Sequence, residues 1–385
     1  MKLPVLSLTL VVFGLTTGEF VIAGILPELA ADLAVPVSSA GLLVSAYALG
    51  MIVGGPVVTT LTARLPRRPL ILGLIAFAVL ANLASALAPG YALLLATRFA
   101  AGLVVATFFA IAIATAVRLA PPGREASAVA RVALGMNLGI VLGSPLGTLV
   151  GQHFGWRTTF VVVAACAALG LLAVARFVTD LPAATTGSVL GELRVLGDRG
   201  LLLAIALTAA GNLGVVMVFT YIAPLLTDVA GLTAATVPAL LLVYGAGAIV
   251  GNHVGGRLAD RALLPALIGL LLALSATLAL FWAVGEVAVA AAVLVFALGA
   301  LGFAIIPGMQ ARVVAASAAA PTLGVAVNAA AFQVAAALAG RVGGWVIADG
   351  PGLRALPLIG AALTMVGVAV AVQLRYRDRT TLVAA

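Results

Sequence analysis

Two residues of this 385-residue chain could do chemistry in surroundings that otherwise offer almost none. Glu19 stands in an apolar run from about residue 5 to 27, and Arg98 in another from about residue 91 to 116. A carboxylate in the middle of a bilayer costs ~2.5–3.5 kcal/mol on insertion scales, so it requires a partner, a cavity or a proton. With ~1.5 Å of rise per residue, Glu19 lies roughly 12 Å from the outer end of its run, and Arg98 roughly 10 Å from the outer start of its own. The two are therefore expected at one depth. Burial favours a neutral carboxyl, whereas a nearby guanidinium favours the carboxylate. A group balanced between those influences can take up a proton on one side and release it on the other. Glu19 is thus a candidate proton-exchange site, with Arg98 tuning or gating it. The competing reading is a static ion pair that orients two helices.

The rest of the composition fixes what kind of element carries this pair. Apolar residues make up 64% of the chain and charged residues 8%, with a mean hydropathy of +1.28. A soluble domain of this length cannot cover its surface with so little charge. The apolar runs are long enough to cross a bilayer as helices, which takes ~20 residues. They read Ala/Leu/Val/Gly without the alternation of a barrel strand. The formal charge of +8 does not indicate nucleic acid, because the basic residues fall in short loops between runs. The single cysteine, Cys166, lies inside a run, so no disulfide framework is expected. The first run is too long for the apolar core of a signal peptide and is expected to remain as a helix.

Breaks at Pro, Gly and charge clusters give spans near 5–27, 38–60, 70–88, 91–116, 127–150 and 158–177. A second set lies near 201–225, 236–256, 263–284, 287–309, 322–347 and 355–374. The expected domains are an N-terminal six-helix bundle (1–178), a cytoplasmic linker (179–200) and a C-terminal six-helix bundle with a short cytoplasmic tail (201–385). With the N-terminus inside, only Arg157 and Arg354 of the twenty Lys and Arg fall outside, while Arg98 and Arg341 lie within spans. The positive-inside rule then places both termini in the cytoplasm. The bacterial inner membrane is the expected location, with a monomer in the lipid bilayer and no nucleic acid as a partner.

The two halves align without a gap at an offset of 197 residues. Tyr47, Gly50, Ile52, Val53 and Gly54 meet Tyr244, Gly247, Ile249, Val250 and Gly251, while Arg64 meets Arg261 and Arg157 meets Arg354. Two parallel six-helix repeats are the plan of a rocking-bundle transporter. Glu19 and Arg98 have no charged counterparts, since Val216 and Val295 stand at their places. The titratable chemistry is confined to the first half.

On these residues the chain resembles the major facilitator superfamily, and within it the twelve-helix drug:proton antiporters. Gly55-Pro56 through Arg64-Leu65-Pro66-Arg67-Arg68 is similar to the family's loop 2–3 signature, with Ala63 where an Asp is usual. The second copy, Gly256-Arg257-Leu258-Ala259-Asp260-Arg261, keeps the Asp. Arg98 with Gly102 resembles the helix-four arginine motif, and Gly135, Gly139, Gly143, Ser144, Pro145 and Gly147 resemble the helix-five signature of exporters. Thr17-Gly18-Glu19-Phe20 with Leu26-Pro27 is similar to the first helix of chloramphenicol and arabinose efflux proteins. The resemblance implies an all-α membrane fold of twelve transmembrane helices in two pseudo-symmetric bundles. It also implies a substrate site lined by helices one, two, four, five, seven, eight, ten and eleven.

On those helices the candidate substrate contacts are Thr16, Tyr47, Phe109, Asn137, Asn212, Tyr244, Asn328, Phe332 and Gln333. Asn137, Asn212, Asn328 and Gln333 read as buried amides that bond either a ligand or a neighbouring helix. The tyrosines read as ligand contacts or interfacial anchors. Candidate gating residues are Arg64, Arg68, Asp260 and Arg261 on the cytoplasmic side and Arg341 on the outer side, the last equally readable as snorkelling to headgroups. So sparse a set suits an uncharged or weakly polar amphipathic molecule. No phosphate-binding loop, paired Cys or His-rich cluster occurs, so no cofactor and no metal is expected and the proton gradient is the energy source. The expected function is proton-coupled efflux of small drug-like molecules, not an enzyme. The alternative is a sugar or metabolite symporter or uniporter of the same fold.

Overall fold

The computed structural model describes residues 2–62, 64–121, 123–179, 198–317 and 321–384. The expected linker lies largely outside these residues, as does the Ala63 departure. Every element among the described residues is helical. Ala- and Leu-rich runs satisfy all their backbone groups within one segment, which is what a bilayer demands.

Span one is built from Lys2–Phe20 and Ile22–Asp32, with a single interruption at Val21. Span two is Leu42–Thr62, span three Arg67–Ala86 and span four Tyr91–Arg118. Span five runs through Glu125–Leu138 and Ser144–Phe154, joined by a π-helical turn at Gly139–Gly143. Span six is Trp156–Phe177. The second set opens with span seven, Arg199–Thr220, whose first turn is capped by the Asp198 carboxylate accepting from the Leu201 amide at 2.8 Å. One continuous stretch, Val237–Val284, contains spans eight and nine. Its 48 residues would reach ~72 Å as a single helix, more than twice a bilayer core. It breaks at Ala262, whose φ of −159° and ψ of 85° are not helical. Spans ten, eleven and twelve are Ala288–Ala316, Pro321–Ala348 and Leu356–Ala384. Span twelve continues ten residues past the expected end at 374.

Contacts group the chain into two compact units, residues 1–186 and 187–385. In the first, Leu8 and Val12 of span one, Ile71 and Ile75 of span three, Val105 and Phe108 of span four, and Val174 of span six share one core.

Inside each unit the same local geometry recurs at the 197-residue offset. A Cβ added at Gly50 would fall on the Phe99 carbonyl oxygen, and one at Gly247 on that of Phe296. Gly102 faces the Tyr47 carbonyl in the same way, and Gly299 that of Tyr244. Glycine is needed there because span two meets span four, and span eight meets span ten, backbone against backbone. The left-handed backbone positions also repeat, with Gly155 at φ 85° matching Gly352 at 90°, and Ala34 at 51° matching Gly231 at 67°. Arg157 bonds the Ala88 carbonyl in the loop between spans three and four, and Arg354 pairs with Glu286 in the corresponding loop. The repeat is thus a repeat of packing as well as of letters.

Candidate functional site

Arg98 occupies the interior of the first unit and is entirely buried. Its Nη2 donates to the Gly18 carbonyl at 2.8 Å, and its Nη1 lies 3.5 Å from Asn82 Oδ1. The guanidinium carbon sits 4.5 Å from the centre of the Tyr47 ring and 5.2 Å from that of Phe160. A buried cation is tolerable where a carbonyl dipole and aromatic faces replace water. Four spans contribute: Gly18 from span one, Tyr47 from span two, Asn82 from span three and Phe160 from span six. Ser85 donates to Thr97 at 2.9 Å beside this cluster and ties span three to span four.

Glu19 follows Gly18 directly and is half-buried. Arg98 bonds the carbonyl of the residue that precedes Glu19. The common depth expected for Glu19 and Arg98 is therefore realised, through the carbonyl next to the carboxylate. Gly18 also leaves room for span six at this level, because an added Cβ would lie 2.9 Å from Val163 Cγ1.

The other residues singled out in the sequence are placed as follows. Thr16 is buried against Gly139 of the π turn, and its hydroxyl has no hydrogen-bond partner among the described residues. Tyr47 is buried and packs beneath Arg98. Its repeat mate Tyr244 is also buried and packs against Phe219 at 4.7 Å and Phe303 at 6.3 Å. In the first unit the tyrosine packs against a cation and in the second against two phenylalanine rings. Phe109 and Phe332 are half-buried, the former tilted against Phe108.

The reading of four buried amides needs correction. Asn137 is exposed and Asn328 half-buried, whereas Asn212 and Gln333 are buried. Helical periodicity is weak in runs where every side chain is small or apolar, so it did not tell the faces apart. Asn212 donates to the Thr208 carbonyl at 2.8 Å and to Met309 Sδ at 3.2 Å, and Thr208 donates to Asn328 at 2.7 Å. These amides join spans seven, ten and eleven.

Of the gating candidates, Arg68 donates to the Ala175 carbonyl at the end of span six, 2.7 Å away, and Arg64 is exposed. Asp260 and Arg261 are exposed and form no ion pair among the described residues. The ion pair at this end of the second unit is instead Arg312 with Asp378, bidentate at 3.0 Å for both contacts. Arg341 is exposed on the same helix face as Leu338 and Trp345. An apolar face ending in Trp is the pattern of a lipid-solvated helix end.

Sequence reasoning passed over Asn82, Gly18 as an acceptor, and Glu28. Glu28 is half-buried, bonds Gln152, and keeps one buried carboxylate oxygen without a partner among the described residues. Its position directly after Pro27 made it read as a span end. At the C-terminal end of span one, Asp32 accepts from Trp156 at 3.0 Å and from Arg157. These two donors hold its carboxyl below the ordinary value of 3.8, with the Arg157 hydrogen bond the larger cause. No group of three or more potential metal ligands occurs among the described residues.

Residues 8–326 match the profile of the Major Facilitator Superfamily. The chain is 35% identical over 361 residues to the inner membrane transport protein YdhP of Escherichia coli (strain K12), covering 93% of this chain and 92% of that one. It is 39% identical over 344 residues to a chloramphenicol resistance protein of Streptomyces lividans, covering 88% and 87%. Among solved structures, a bacterial homologue of the human lysosomal transporter Spinster, in an inward-facing and unoccupied conformation, shares the fold. Its TM-score is 0.71 at 16% identity, over 96% of this chain and 94% of that one.

Proposed function

The chain belongs to the major facilitator superfamily of membrane transporters, and from that premise we propose that it exports small amphipathic molecules in exchange for protons. The observation that carries this reading is the contrast between Arg98 and Glu19. Arg98 is wholly enclosed and fixed to the Gly18 carbonyl. Glu19, one residue away, is only half-buried. A fixed cation beside a partly accessible carboxylate is a device for proton exchange, because small changes in hydration decide which form of the carboxyl is favoured. Val216 and Val295 occupy the equivalent positions of the second unit, so the coupling resides in the first.

The substrate is uncharged or weakly polar. Asn328 and Asn212 are bonded to Thr208 and Met309, which leaves Thr16, Asn137 and Gln333 as the few polar candidates beside the aromatic Tyr47, Phe109, Tyr244 and Phe332. The similarity to a chloramphenicol resistance protein supports export of drug-like molecules. The protein works as a monomer in the bacterial inner membrane with both termini cytoplasmic, uses no bound cofactor, and draws its energy from the proton gradient. The direct test is flux of chloramphenicol-like drugs in proteoliposomes under an imposed pH gradient. Movement of drug against the proton flow is expected; movement with it would indicate a symporter.

A further inference from the structure

Span one stops being helical at Val21, two residues after Glu19. The last carbonyls of a helical segment have no amide in the next turn to accept from, so they take other donors. Two of them are met here from other spans. Arg98 of span four donates to the Gly18 carbonyl at 2.8 Å, and Ser144 of span five donates to the Phe20 carbonyl at 3.3 Å. The peptide groups on both sides of Glu19 are therefore held from two different helices. Ser144 is buried, and its short side chain reaches span one because glycines bring span five close. A Cβ added at Gly139 would lie 2.7 Å from Thr16 Cβ, and one at Gly143 would fall on Thr17 Oγ1. The π turn at Gly139–Gly143 ends directly before Ser144. By adding one residue to the helix, such a turn rotates everything after it by about 100° and so sets the direction of Ser144.

The matching places of the second unit carry none of these parts. Val216 stands for Glu19, Arg341 stands for Ser144 and is exposed, and span eleven passes residues 336–340 as α-helix. The serine, the π turn and the carboxylate thus belong to one unit. We propose that Ser144 is a positioning residue for Glu19. Through the Phe20 carbonyl it holds the turn that carries the carboxyl, while Arg98 holds the peptide before it. Ser144 acts through the backbone and takes no proton itself. Because its bond joins span five to this turn, a shift of span five against span one carries the carboxyl with it. This role rests on the reading that Glu19 exchanges protons, and it supplies the link from that carboxyl to helix movement.

The test compares Ser144→Ala with Ser275→Ala in the full-length protein. Ser275 is also buried and donates to a backbone carbonyl of another span, that of Ala361 at 3.0 Å, but in the second unit. A hydrophobic carbodiimide labels protonated carboxyls within a membrane, and its rate of reaction at Glu19 is followed by mass spectrometry. Ser144→Ala should raise that rate about threefold, the scale of one modest neutral hydrogen bond, because the carboxyl leaves the side of the cation more often. In proteoliposomes it should lower the maximal rate of gradient-driven transport by a similar factor. The half-saturating drug concentration and gradient-free exchange should not change. Ser144→Thr, which keeps the hydroxyl, should restore both quantities, and Ser275→Ala should alter neither. If Ser144→Ala does not fold, Ser144→Cys, a weaker donor, takes its place. A labelling rate in Ser144→Ala equal to that of the parent, or raised equally by Ser275→Ala, overturns the proposal. Labelling decides the positioning whatever Glu19→Gln shows for coupling, so the failure of one is told apart from the failure of the other.

Discussion

The Gly18 carbonyl accepts a 2.8 Å hydrogen bond from Arg98, and the next residue along the helix is Glu19. The cation is thereby fixed to the backbone beside the carboxylate, at a level in the span where neither would persist alone. This backbone bond anchors the cation through an atom other than the Glu19 carboxyl.

Arg98→Lys should separate structure from coupling. The lysine keeps the charge but loses the planar fork that spans Gly18 and Asn82. Export is expected to fall at least about tenfold, the scale of one lost charge-assisted hydrogen bond. Yield and thermal stability should stay close to those of the parent. Arg98→Ala should destabilise by about 2–4 kcal/mol, because it leaves a buried carbonyl unpaired and opens a cavity. Scanning fluorimetry alongside transport distinguishes the two.

Gly18→Ala is expected to be harmful for a steric reason that can be relieved. The new methyl would meet Val163 at 2.9 Å, and overpacking of this kind costs about 1–3 kcal/mol. Adding Val163→Ala should restore most of the loss in stability and in transport. A double variant no better than Gly18→Ala would mean that the clash is not the cause.

The repeat predicts matched effects at distant positions. Gly50→Ala and Gly247→Ala each drive a Cβ onto a backbone carbonyl, of Phe99 and Phe296 respectively. Each should lower the melting temperature by a similar amount, whereas Gly73→Ala, where the added Cβ meets nothing within 4 Å, should not.

Much of this arrangement can be read in the sequence, for identifiable reasons. The two repeats are legible because Pro, Tyr, Gly and Arg recur at one offset, and the structure repeats the glycine backbone contacts and the arginine contacts to the loops after spans three and nine. The depth of Glu19 and Arg98 is legible because helix rise is fixed. Helix faces are not legible where Ala, Val and Leu surround the whole circumference, which is why Asn137 was misplaced. The π turn at Gly139–Gly143 has no local signal beyond the glycines. The Arg312–Asp378 pair was missed because the residues after 374 read as a tail, whereas the helix continues to Ala384 and carries Asp378 to its partner.

Asp32 gives a pH dependence of definite sign. Its carboxyl is held below the ordinary value of 3.8 by hydrogen bonds from Arg157 and Trp156, so the folded state binds its proton less readily than the unfolded chain. The resulting stability is present above about pH 4 and is lost as pH falls through the lowered folded value. For a pair this exposed it is on the order of 0.2–1 kcal/mol. Asp32→Asn should therefore lower the melting temperature at pH 7 and converge with the parent as pH falls through that lowered value.

The proton-exchange role of Glu19 is tested most directly in Glu19→Gln, by comparing uphill transport with downhill exchange in proteoliposomes. The glutamine keeps the shape and hydrogen-bonding capacity of the protonated acid but cannot release a proton. Exchange of labelled for unlabelled drug without a gradient should continue, while accumulation driven by a pH gradient should vanish. Accumulation at the parental level in Glu19→Gln would contradict the account.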